Sequence, residues 1–316
     1  MSSPLPVISV FVITYNHEPF IAAALEGIVN QQVECPMEVI IGEDCSTDGT
    51  YAICRAYAEK YPSLIRLLPS ERNLKMMGNF LRTLHECKGE YIAFCEGDDY
   101  WTDPDKLRKQ LLFLKANPSM VFAFHGSKTF DERTRTFGTY YRHPGFMTGV
   151  IDKATLFEKG GGAFVSPSIM FRRSLLTYPD WFLNAPTGDF PLLLLAVATG
   201  DIGYMEDEMC VVRQFTGVSW SESFKSLEAY QQYYEKESLL IEAFDQSTGH
   251  RFASWLQSFN QLRAYRLLIR YFHVNRSWIS RAGYFFKTLP KLNLGFAVKS
   301  FARIFIGVNK EHVQGL

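Results

Sequence analysis

The chain has 316 residues, with 33 Lys and Arg against 33 Asp and Glu, 47% hydrophobic and 21% charged residues. That composition excludes wholesale disorder, and the length suits one large domain or one domain with an appendage. No apolar run approaches the roughly 20 residues that a membrane-spanning helix needs. The opening Met-Ser-Ser-Pro-Leu-Pro lacks a basic stretch and does not read as a secretory signal, so a cytoplasmic globular protein is expected. Six cysteines, at 35, 45, 54, 87, 95 and 210, form no Cys-x-x-Cys pair and have no histidine at zinc-finger spacing, which predicts reduced thiols.

Residues 7–14 are β-branched and apolar and predict a buried strand; 21–31 carry helical spacing. A short strand is expected over 38–42. Ser46-Thr47-Asp48-Gly49 then offers turn and N-cap chemistry for a helix over 51–60. A strand over 64–68, a helix over 77–87, a strand over 91–95, a helix over 106–116 stopped by Asn117-Pro118, and a strand over 120–125 complete the series. Strands spaced by helices predict an α/β domain with a mostly parallel sheet and helices on both faces. In such sheets ligands bind at the carboxyl ends of the strands.

Those ends carry Thr14-Tyr15-Asn16-His17, then Glu43-Asp44, then Glu96-Gly97-Asp98-Asp99-Tyr100-Trp101. Three carboxylates within four positions, with no adjacent base, repel one another unless a hard divalent cation offsets them. For Asp48, plain helix capping is as good an account as a ligand role. There is no Gly-x-Gly-x-x-Gly after the first strand and no Gly-x-x-x-x-Gly-Lys-Ser/Thr, which removes the main support for a dinucleotide oxidoreductase or a P-loop nucleotidase. His17, His85, His125 and His143 lack ligand spacing and read as loop or core histidines.

Ile13-Thr14-Tyr15-Asn16, Glu43-Asp44-Cys45-Ser46-Thr47-Asp48-Gly49-Thr50, Gly89-Glu90-Tyr91-Ile92 and Glu96-Gly97-Asp98-Asp99-Tyr100-Trp101 resemble, in order and spacing, the motifs of family 2 glycosyltransferases. Gly188-Asp189-Phe190-Pro191-Leu192 and Val212-Arg213 through Gly217-Val218-Ser219-Trp220-Ser221 are similar to the later motifs of its non-processive members. The resemblance implies the GT-A fold, a Rossmann-like architecture, with a nucleotide-sugar donor (UDP-linked first), Mn²⁺ or Mg²⁺, and inversion at the anomeric carbon. It departs from the family in Glu43 and Glu96, where aspartates are commoner, and in the absence of Gln-x-x-Arg-Trp, which points to single additions.

By this resemblance Tyr15 stacks on the base, Asp44 accepts its ring N–H, and Thr14 and Asn16 frame the ribose. Asp99 holds the metal, Asp98 the ribose or metal, and Glu96 supports them. Arg213 adds a cation near the diphosphate, Asn79 approaches the nucleotide together with Asn73 and Lys75, Trp220 lines the acceptor site, and Asp189 is the catalytic base. The implied product is a cell-surface glycan, extended from a glycan or lipid-linked acceptor. The competing class is a catalytically inactive transferase-like module that binds at a membrane.

Residues 251–316 hold eleven Lys and Arg against one acid, Glu311, so the first 250 residues carry 22 bases and 32 acids. This asymmetry divides the chain into a transferase domain, 1–222, and a basic, aromatic-rich helical region, 223–316. Phe252, Trp255, Leu256, Phe259 and Leu262 recur at helical spacing, as do Phe301, Ile304 and Phe305 beside Lys299 and Arg303. Basic faces with aromatic belts suit an anionic bilayer and a peripheral place on the inner membrane face. The alternative is that these helices pack on the transferase. Nucleic acid is disfavoured because no recognition motif accompanies the charge.

Overall fold

The computed structural model describes residues 6–138, 146–159, 164–219, 226–274 and 277–305. In chain order these form β1 (Ile8–Thr14), α1 (Ile21–Val29), β2 (Met37–Glu43), α2 (Thr50–Lys60), β3 (Ile65–Leu68), α3 (Lys75–His85), β4 (Tyr91–Glu96), β5 (Tyr100–Trp101), α4 (Lys106–Ala116), β6 (Met120–Asp131), β7 (Thr136–Phe137), β8 (Gly149–Val150), α5 (Lys153–Lys159), β9 (Met170–Arg172), α6 (Asp180–Leu183), α7 (Asp189–Thr199), β10 (Asp201–Gln214), α8 (Leu227–Ser247), α9 (Ala253–Val274), α10 (Trp278–Thr288) and α11 (Leu294–Phe305).

Every side chain of β1 is buried, as its Ile-Ser-Val-Phe-Val-Ile-Thr sequence requires of a strand covered on both faces. Val10 and Val12 face the core under α1, while Phe11 turns the other way, stacked on Phe94 at 4.4 Å with Phe80 of α3 edge-on at 5.2 Å. The described sheet runs β3-β2-β1-β4-β9-β6-β10-β5, with β7 beside β6 and β8 beside β10. It is parallel from β3 to β4 and between β6 and β10. The short β9 runs antiparallel between β4 and β6. The parallel register sets Thr14 beside Glu43 and Ile13 beside Glu96, which brings three strand ends to one edge. Gly42 admits α3 against β2, because a Cβ there would overlap the Thr83 hydroxyl.

The chain divides into two compact units, Met1–Ile151 with Ala163–Ser223, and Asp152–Gly162 with Phe224–Leu316. The second unit therefore includes α5, whose buried Phe157 packs on Trp255 and Phe259 of α9, at ring distances of 6.0 and 6.1 Å. Its α8 and α9 are joined by the Arg263–Glu237 ion pair at 2.6 Å. Phe252, Leu256, Phe259 and Leu262 are at most 9% exposed, so the α9 stripe read as a membrane belt is core. Periodicity reports an apolar face but not what covers it. None of the described helices is long and apolar enough to cross a membrane.

Candidate active site

The turn after β1 is laced to the turn after β2. Asn16, in the left-handed region at φ 55°, takes the Thr47 N–H on its side-chain oxygen at 2.8 Å, and its own N–H donates to the Ser46 hydroxyl at 3.0 Å. Asn16, expected to frame the ribose, thus braces this pair of turns. Tyr15, between the buried Thr14 and this brace, is 38% exposed, with no ring packed on it among the described residues. Asp44 is buried, its N–H donates to the Thr14 carbonyl at 3.1 Å, and one carboxylate oxygen accepts the Leu74 N–H at 2.7 Å. Burial pushes its carboxyl above the usual range, opposed by the Leu74 amide and the Arg82 guanidinium. Asp48 caps the start of α2, accepting the Thr50 N–H at 3.0 Å and the Glu18 N–H at 3.1 Å.

Asn79 does not stand where a nucleotide contact was expected. It is 3% exposed, its amide donates to the Gly42 carbonyl at 2.7 Å, and its oxygen accepts from Arg82 at 2.8 Å. Its amide nitrogen ties α3 to β2, and its oxygen is taken up within α3 by Arg82. Arg82, which sequence reasoning passed over, also reaches the carbonyls of Glu43, Leu68 and Pro69 and so ties off the β2 and β3 ends.

The acidic turn separates its two aspartates. Asp99 accepts the backbone N–H of Arg213 at 2.8 Å, fixing the turn to β10, while β5 pairs with the same strand through Cys210–Trp101 and Val211–Tyr100. Arg213 is expected near a diphosphate, but its guanidinium is enclosed: Nε pairs with Glu132 at 3.0 Å, NH1 donates to the Asp98 carbonyl at 2.7 Å, and the Tyr100 ring lies 4.3 Å away. Its ion-pair partner Glu132, which also pairs with Arg135, is an acid too distant in sequence to be foreseen. Asp98 is 8% exposed, and among the described residues no donor reaches its carboxylate. Burial, with the charges of Asp98 and Asp189 beside it, pushes the Glu96 carboxyl well above its usual range. Burial and the charges of Asp98 and Glu96 do the same to Asp99.

Gly97 shows why this turn needs a glycine. A Cβ there would lie 2.6 Å from the Thr14 hydroxyl and 2.8 Å from His17 Nδ1. Both of those polar atoms are buried with no hydrogen-bond partner among the described residues, which sets His17 apart from the satisfied loop histidine its spacing suggested. Asp189 opens α7 and accepts the Phe190 N–H at 2.8 Å, so part of the capping role is realised, and its charge is felt at Glu96. Trp220 and His143 lie outside the described residues.

Among the described residues, no three His, Cys, Asp or Glu side chains converge into a preformed cation cage. The donor set nevertheless fits a hard divalent cation. Among the described residues Asp98 offers a carboxylate that no donor reaches, Glu96 offers a second whose carboxyl is pushed up by burial and by the charges of Asp98 and Asp189, and Mg²⁺-type sites characteristically use one or two carboxylates plus substrate phosphates. Beneath the turn lies Lys106, also missed from sequence: fully buried, with no hydrogen-bond partner among the described residues, its Nζ 3.8 Å from the Trp101 ring.

A family profile described as "Glycosyl transferase family 2" matches residues 9–177. An uncharacterized protein of Mycobacterium tuberculosis is 32% identical over 216 residues, 68% of this chain and 61% of that protein; the match thus spans less than two thirds of that relative's length. Among solved structures, S. aureus TarS 1-349 in complex with UDP-GlcNAc aligns with a TM-score of 0.63 and 20% identity, over 96% of this chain and 81% of that one. The mannosyltransferase PcManGT from Pyrobaculum calidifontis, in complex with GDP-Man and Mn²⁺, aligns with a TM-score of 0.59 and 17% identity, over 98% and 82%. At these identities the two structures establish the shared GT-A fold.

Proposed function

The chain belongs to glycosyl transferase family 2, and from that membership we propose that it is an inverting enzyme moving one sugar from a nucleotide-linked donor, a UDP-sugar first, to a glycan or lipid-linked acceptor of the cell surface. The observation that carries the proposal is the grouping of Glu96 with the charges of Asp98 and Asp189 at the carboxyl edge of the parallel strands, with no donor among the described residues reaching the Asp98 carboxylate. Such a concentration of negative charge is costly in an empty site and useful where a cation and a diphosphate meet.

The exposed Tyr15 ring suits stacking on a base, and Asp44, buried with one oxygen on Leu74, retains an acceptor for an imide N–H such as that of uracil. The TarS complex with UDP-GlcNAc supports that preference. Asp98 and Glu96 would hold the divalent cation; when bound, it supplies positive charge against the departing diphosphate. Mn²⁺ in the mannosyltransferase complex supports this assignment. Asp99 and Arg213 position the turn. Asp189 takes the proton of the acceptor hydroxyl as its oxygen bonds to the anomeric carbon. The carbon–phosphate oxygen bond breaks on the opposite face, which inverts the centre. The enzyme is assigned a peripheral place on the inner face of a membrane.

Release of nucleoside diphosphate from a panel of nucleotide-sugars with Mn²⁺ or Mg²⁺ tests the reading. Asp189→Asn, which keeps the size and much of the capping, should lose about 10²-fold or more of transfer with donor binding unchanged. Normal transfer in a folded Asp189→Asn protein would remove Asp189 from the mechanism. Donor binding without turnover of any donor would favour the inactive module.

A further inference from the structure

Two sets of basic residues in the second unit differ in their surroundings. On α9 they turn inward: Arg263 pairs with Glu237 and lies 4.4 Å from the Tyr234 ring, and Arg270 lies 4.4 Å from the Tyr230 ring. On α10, α11 and the turn between them, Lys287, Lys291 and Lys299 are exposed, and none of the three pairs with an acid among the described residues. The apolar residues divide in the same way. Tyr284 stacks on Tyr271 at 3.9 Å, Phe296 stacks on Tyr265 at 4.7 Å, and Phe285 is 3% exposed in the cluster with Leu268 and Phe272. These contacts occupy the inner faces of α10 and α11.

The outer faces remain apolar. Ile279 is 66% exposed and Phe286 59%, seven residues apart on one stripe of α10; Leu294 is 81% and Val298 60%, four apart on α11 and opposite Phe296. Leu289 is exposed in the connecting turn. A helix that has already buried one apolar face gains nothing from a second in water, and this one is interleaved with lysines: Phe286 with Lys287, Leu289 with Lys291, Val298 with Lys299. No acid occurs between residues 251 and 310.

We propose that the outer face of α10 and α11, formed by Ile279, Phe286, Leu289, Leu294 and Val298 with Lys287, Lys291 and Lys299, docks on an anionic lipid bilayer, the apolar side chains entering the headgroup boundary and the lysines meeting lipid phosphates. The occupant follows from charge complementarity: unpaired cations around an apolar stripe match a surface that is apolar beneath and anionic above. The inference rests on the peripheral location proposed above and identifies the surface responsible. Of the two stripes expected from sequence it removes that of α9, which is core, and keeps the neighbourhood of Lys299 on α11.

Vesicle flotation of the full chain tests it, with phosphatidylglycerol-containing and pure phosphatidylcholine vesicles. The protein should float with the anionic vesicles at low salt and leave them as salt rises. The triple change Ile279→Glu, Phe286→Glu, Val298→Glu should weaken this by about tenfold or more. Lys287→Gln, Lys291→Gln, Lys299→Gln should weaken it by a similar factor and flatten its salt dependence. The substituted positions are exposed, so melting temperature and donor hydrolysis in vesicle-free buffer should stay at parental values, and that hydrolysis reports on the transferase reading independently. A parent chain that remains with the soluble fraction on anionic vesicles at low salt overturns the proposal. So does flotation unchanged by either triple change, or a dimer in sizing columns that the glutamate changes dissociate, which would identify a second copy as the occupant.

Discussion

Neighbouring in sequence, Asp98 and Asp99 differ in what their carboxylates meet. Asp99 accepts the Arg213 N–H, whereas no described donor reaches Asp98. An asparagine at 99 can still accept that N–H, so Asp99→Asn should keep the melting temperature and lose less activity than Asp98→Asn. Asp98→Asn should weaken activation by Mn²⁺ about tenfold or more, because the amide brings no charge to the cation. Titrating both variants with Mn²⁺ checks the order, and equal loss would return Asp99 to the metal. Lys106 offers a second test. Burial pulls its ammonium down to about 7, while the unfolded chain keeps an ordinary lysine near ~10.4. Between those values the unfolded state binds more protons, so this residue's penalty on the fold is full below about pH 7 and fades as pH rises. Lys106→Met should therefore stabilise the protein by about 1–3 kcal/mol near pH 6, after allowing for the lost contact with Trp101, and by progressively less toward pH 10. Urea unfolding of both proteins across that range measures the difference, and burial keeps the nearby Cys95 and Cys210 thiols neutral throughout in the fold.

At the level of elements, the acidic turn is held by a single long strand. β10 pairs with β6 over most of its length and with β5 at Cys210 and Val211, and then supplies Arg213 to the turn. Arg213 and Glu132 form a pair whose side chains are 11% and 12% exposed. Glu132 also pairs with Arg135, so removing Arg213 leaves it one partner, whereas removing Glu132 leaves the Arg213 charge nearly buried. Glu132→Gln, which strands Arg213, should cost about 2–3 kcal/mol, and adding Arg213→Met should restore part of it. Thermal melts of the two single variants and the double variant give the coupling. Additive losses would mean that the pair contributes little to holding the turn.

Across the whole molecule, the described contacts keep the acidic turn in place through protein groups: Arg213 on its backbone, the β5–β10 pairing, and Gly97 closed over Thr14 and His17. The cation proposed at Asp98 and Glu96 would accordingly serve the chemistry and not the scaffold. EDTA should abolish donor turnover while shifting the melting temperature by no more than a few degrees, and added Mn²⁺ should restore the rate. Turnover that survives EDTA undiminished would remove the metal from the mechanism. A collapse of the melting temperature would make it structural.

Local properties of the chain were legible before folding was considered. The expected helix over 106–116 coincides with α4, and the strands over 7–14, 38–42 and 91–95 lie within one residue of β1, β2 and β4 at each end. Alternation, helical spacing and turn residues are written within a few neighbouring positions. The motif residues at the strand ends were legible for the same reason, since a parallel sheet aligns its carboxyl ends whatever lies between them. Long-range contacts decided the rest. β9 is three residues long, too short for any pattern, and exists because β4 and β6 pair with it. Asn79 became a clamp because α3 lies against Gly42, and Arg213 because Glu132 reaches it from beyond β6. The same aromatic, basic composition became core on α9 and surface on α10 and α11, because α5 and α8 cover the first and the described structure covers the outer faces of the others with nothing. Sequence spacing determines which side chains share a face; only the packed fold determines what that face meets.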